Sequence, residues 1–165
     1  MVIEEGNVVK KAFLITAGLL ALGIIGVFLL IQLIPYGRAH ANPPVVQEPP
    51  WDSPATRALA KRACFDCHSN ETVWPFYSNI APLSWLVQRD VDEGRAKLNF
   101  SEWGMGSFDE PEEIVETVQE GEMPLRSYLL MHPEANLSRQ EREALLQGLR
   151  RTFGGASGEN SRDDD

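Results

Sequence analysis

Between Ala12 and Ile34 the chain runs for 23 residues without a charge and with a single Gln, AFLITAGLLALGIIGVFLLIQLI. No other stretch limits the fold as strongly, because a lone segment in lipid must satisfy its backbone hydrogen bonds internally and so must be a helix. At 1.5 Å per residue it is roughly 35 Å long, enough to cross a hydrocarbon core of about 30 Å. Lys10 and Lys11 precede it and Arg38 follows. The positive-inside bias then places the N-terminus in the cytoplasm and everything after Tyr36 outside, as a single-pass protein of the cell membrane with a periplasmic or other extracytoplasmic domain. Ala39-His40-Ala41 offers a competing signal-peptide cleavage site after Ala41. Signal h-regions span about 7–15 residues, however, and this run is longer.

The remainder divides by composition. Residues 1–11 form the cytoplasmic N-terminus and 12–34 the anchor. Residues 35–53 form a linker with five prolines and polyproline II character, able to hold a domain off the bilayer. Residues 54–153 read as one small all-α domain, and 154–165 as an acidic, disordered tail without apolar content. Within the domain, Ser53-Pro54 is a helix start, with Ala55, Leu59 and Ala63 on one face. A second helix is expected from about Pro82 to Leu98, burying Leu83, Leu86, Val87, Val91 and Leu98. A short third one begins near Asp109, with Ile114, Val115 and Val118 on its apolar face, and stops at Gly121. The last opens with the capping box Ser138-Arg139-Gln140-Glu141 and buries Leu145, Leu146, Leu149 and Phe153.

The first domain helix runs into Cys64-Phe65-Asp66-Cys67-His68, which holds the two cysteines of the chain. Thiols one helical turn apart can both add to the vinyl groups of one haem, and the adjoining imidazole then reaches the iron, so the pattern reads as covalent attachment of a single haem c through Cys64 and Cys67 with His68 as proximal iron ligand. A thioredoxin-like redox pair would want a βαβ context, which the Ala-rich helical approach lacks. A zinc site would need a fourth donor, and only His40 and His132 remain, neither with paired-ligand spacing.

Gly121-Glu122-Met123-Pro124 stands 55 residues after His68, in a loop that proline stiffens. Met123 is the first candidate for the distal iron ligand, and His132 and Met131 compete for the same position. Trp74, Phe76, Tyr77 and Trp85 are read as packing around a buried porphyrin. The carbonyls of Pro75 and Pro82 are candidates to accept from the non-ligating nitrogen of His68.

A helix leading into CxxCH, a G-x-MP loop and a capped terminal helix are similar to the class I cytochrome c plan. More narrowly, CFDCHSNETVWPFYSNIAPLSW and GEMPLRSYLLMHPEA resemble the bacterial haem-binding domain family defined around one CxxCH, often found behind an N-terminal anchor. The likeness covers about Trp51 to Arg151, with Cys64, Cys67, His68 and Met123 at the motif positions. It implies a membrane-tethered monohaem c-type domain and brings no substrate with it.

Two functions follow from the iron. With His68 and Met123 as axial ligands the expectation is one-electron transfer at the outer membrane surface, an electron carrier rather than an enzyme. With an open sixth position it is a haem sensor or a peroxidase-like enzyme, for which Arg126, Tyr128 or His132 could supply the distal group. After Arg38, 12 Lys and Arg face 22 Asp and Glu, a formal charge of −10. Such acidity gives no footing for nucleic acid and suits redox partner proteins with a basic docking face.

Overall fold

The computed structural model describes residues 2–105 and 111–154, and the anticipated tail at 155–165 lies outside them. Seven α-helices occur among the described residues: α1 (Val2–Ile31), α2 (Pro54–Ala63), α3 (Phe65–His68), α4 (Leu83–Lys97), α5 (Pro111–Glu120), α6 (Arg126–Met131) and α7 (Arg139–Phe153). Short 3-10 turns cover Phe76–Asn79 and Pro133–Ala135, and the described residues include no strand beyond one bridge, Gln47 to Glu102. The protein is all-α, as the periodicity predicts. Internal contacts divide it into two units, Met1–His40 with Pro75–Gln88 and Ala41–Trp74 with Arg89–Asp165.

The first unit is built on α1. Its residues Val9–Ile31 have a mean hydropathy of 2.8 and none is buried, so this helix is long and apolar enough to cross a membrane. Beyond its end the chain is held by side chains. The Gln32 amide donates to the Ala81 carbonyl at 2.9 Å and accepts from the Ala81 N–H at 3.0 Å, and Arg38 donates to the Gln32 carbonyl and side-chain oxygen. His40 Nε2 lies 2.9 Å from the Ser78 hydroxyl.

The second unit is a helical domain. Its core gathers Ala60, Phe65, Leu98, Phe100, Ile114, Val118, Leu145, Leu149 and Phe153 from α2, α3, α5, α7 and the segment after α4. Trp51 lies 5.3 Å from Phe100 between ring centroids and Trp103 stacks on Phe153 at 4.9 Å. Aromatic pairs of this kind contribute about 0.5–1.5 kcal/mol each beyond the area they bury. Ser53 caps α2, its hydroxyl accepting from the Thr56 N–H, and the capping box of α7 forms in both directions between Ser138 and Glu141.

The aromatic side chains in and against the core are Trp51, Phe65, Phe100, Trp103 and Phe153, and Phe76 is 80% exposed. One expectation fails along α4. The stripe along α4 is buried at Val91 and at Leu98 just past its end, whereas Leu83 and Leu86 are exposed. The Pro-rich segment is extended but not free: in the second unit, Val46 and Gln47 donate to the Ser101 carbonyl and Asn70 donates to the Pro44 carbonyl.

Candidate haem site

Helix α2 ends on Cys64, and α3 is a single turn that carries Cys67 and His68. The turn is held by its neighbours. The Phe100 N–H donates to the His68 carbonyl at 2.8 Å, and Asp66 accepts from the Val73 N–H at 2.9 Å and from the Tyr128 hydroxyl at 2.7 Å. Arg95 clasps the chain just beyond, donating to the Ser69 and Ala41 carbonyls and to the Thr72 hydroxyl and Asn42 amide oxygen.

His68 Nδ1–H donates to the carbonyls of Gly94 at 3.1 Å and Leu98 at 3.2 Å, at the C-terminal end of α4. These acceptors replace the Pro75 and Pro82 carbonyls expected from the sequence. The Pro75 carbonyl accepts from Ser78 and the Pro82 carbonyl from the first turn of α4. With Nδ1 occupied, Nε2 is the nitrogen whose lone pair can bind iron. Burial lowers the His68 pKa, which keeps the ring neutral, as a ligand must be.

Two adjoining cavities of about 180 and about 190 Å³ share Ala63, Cys64, Met123 and Pro124. The larger one adds Cys67, His68, Asp90, Glu93, Gly94, Leu125 and Tyr128. Together they reach the lower end of the roughly 300–1,000 Å³ of ligand sites. Met123 thus lies on the same cavity wall system as Cys64, Cys67 and His68. Met131 is exposed, and His132 stacks on Tyr128 with ring centroids 4.0 Å apart; neither lines either cavity.

Gly94 explains how α4 comes so close to the motif. A Cβ there would stand 2.4 Å from the Cys67 carbonyl oxygen, so only glycine lets the helix carbonyl reach His68. The sequence offered one hint, a lone glycine inside a helical pattern, which often has a packing reason.

The thiols are free, and burial pushes both up to about 12, helped at Cys67 by the Asp90 and Asp66 carboxylates. A redox dithiol needs the opposite, a thiol with a depressed pKa in electropositive surroundings. Among the described residues, no three His, Cys, Asp or Glu side chains come together as a metal cage, which weighs against zinc. A histidine fixed through Nδ1, two thiols and a thioether around one half-open, largely apolar hollow do fit a haem.

The fold is a helical domain with one hollow able to hold a haem. Residues 26–151 match the haem-binding domain family, and the chain belongs to that family. No curated protein and no solved structure matches it.

Proposed function

We propose that the protein is a membrane-anchored, monohaem c-type cytochrome-like carrier that transfers single electrons on the extracytoplasmic side. The observation that carries the reading is the convergence of Cys64, Cys67, His68 and Met123 on one hollow, with His68 Nδ1 fixed by the Gly94 and Leu98 carbonyls. When bound, the haem supplies a one-electron ferric/ferrous couple. Cys64 and Cys67 would hold it covalently through their thiols. His68 would bind the iron through Nε2, and Met123 would offer its thioether as the second protein ligand, leaving no coordination position for a substrate. The Lys10-Lys11 pair and the single Arg38 favour a cytoplasmic N-terminus. Retention of α1 is supported by Gln32, Tyr36 and His40, whose bonds to Ala81, Ser84 and Ser78 would all be lost by cleavage after Ala41.

A second reading, a sensor or peroxidase-like enzyme with an open sixth position, is favoured by Tyr128, which lines the same hollow. One experiment separates the two. The oxidised protein and a Met123→Ala variant are compared by optical spectroscopy, and the reduced forms are exposed to carbon monoxide. A weak sulfur-to-iron charge-transfer band present in the parent and lost in the variant, with carbon monoxide bound by the variant alone, is the expected result. Carbon monoxide binding to the untreated parent protein would overturn the carrier reading.

A further inference from the structure

From Thr72 to Gln88, TVWPFYSNIAPLSWLVQ, the chain carries no charged residue for 17 positions, although 24% of the whole is charged. Its part in the first unit, Pro75–Gln88, belongs with α1. Large apolar side chains here stay in the open: Phe76 is 80% exposed, Leu83 44%, Leu86 41% and Ile80 40%. A charge-free segment with so much exposed apolar surface is unusual in contact with water.

Its position says what covers it. The apolar part of α1 ends at Ile31, and Gln32, the next residue, holds Ala81 by both its N–H and its carbonyl. Four residues on, the Tyr36 carbonyl accepts from the Ser84 hydroxyl. Gly37, at φ +79°, lies so near Ser84 that a Cβ would stand 2.2 Å from the Ser84 carbonyl oxygen. As a membrane span, a 23-residue helix is slightly longer than a hydrocarbon core of about 30 Å, which would put Gln32 at the headgroup boundary and Ala81 with it. Ile80 precedes Ala81 and Leu83 follows two residues on, so both would share that boundary, where interfacial segments bury their apolar side chains about 5–10 Å deep. Aromatic and aliphatic side chains mixed with Asn and Ser, without charge, are what that layer accepts.

We infer that Pro75–Gln88 is a second membrane contact, an interfacial segment whose Phe76, Ile80, Leu83 and Leu86 side chains enter the lipid beside the exit of α1. The inference rests on α1 being a membrane span, and it is independent of the haem. It is tested in the full chain, in the membranes of the expressing cell, by replacing single residues with photoreactive p-benzoylphenylalanine at positions 13, 76 and 83. Phe13 lies within α1. After irradiation, mass spectrometry should find one phospholipid added at each of the three positions. Lipid at 13 with none at 76 and 83, or crosslinks from 76 and 83 to a second copy or to another protein, would overturn the inference and leave the span intact. No lipid at 13 would remove the span and the inference together.

Discussion

At position 94 a single methyl group decides whether α4 can reach the CxxCH turn. The atoms it would meet are the Cys67 backbone carbonyl, not the tip of a flexible side chain, so the helix or the turn must move. Overpacking of this kind costs about 1–3 kcal/mol. Gly94→Ala is therefore expected to lower the denaturant midpoint of unfolding by a corresponding amount, and an unchanged midpoint would show that the approach is not tight. The residues of the candidate site were legible in unequal degree. Cys64, Cys67 and His68 are neighbours in sequence, and Met123 is marked by the proline after it. The acceptors of His68 were not legible, because Gly94 and Leu98 act through carbonyl groups that every residue has, 26 and 30 positions away.

Among the elements, α7 was the most readable, since its start is written in side chains. Ser138→Ala removes the hydroxyl that accepts from the Glu141 N–H and should destabilise the fold by about 1 kcal/mol in equilibrium unfolding. Glu141 adds a pH dependence. Hydrogen bonds from Arg62 and Ser138 hold its pKa at about 2 against an ordinary 4.5. A carboxylate with a depressed folded pKa stabilises fully above the unfolded value and loses that contribution as pH falls toward the folded one. Glu141→Gln should accordingly flatten the fall in stability between pH 4.5 and about 2, and a variant curve parallel to the parent in that window would exclude the linkage. Helix α6 left no trace in the sequence, because six residues are too few to display a period, and none of them is buried. Along α4 the apolar repeat is real but only Val91 and, past the helix end, Leu98 are buried, because hydropathy alone cannot tell a side chain that faces the core from one that stays exposed.

For the molecule as a whole, charge is the property read from sequence that bears most on function. The −10 beyond Arg38 predicts that reduction by a basic small redox protein slows as ionic strength rises, because the screening length falls from about 30 Å at 0.01 M to about 10 Å at 0.1 M. Stopped-flow rates against salt, with a basic and an acidic donor side by side, measure it; equal, salt-insensitive rates would rule out steering. The apolar N-terminal helix and the all-α class were plain in the sequence, but the docking of the Pro-rich segment was not, since Val46, Gln47 and Pro44 are held through main-chain groups with no side-chain signature. The backbone of α4 also bears on the whole site. The Gly94 and Leu98 carbonyls hold His68 Nδ1, so the imidazole is oriented by α4 and the residue just past its end. In the proposed reading, a strain that shifts this helix would turn the nitrogen offered to the iron and retune the redox couple with every candidate ligand left in place.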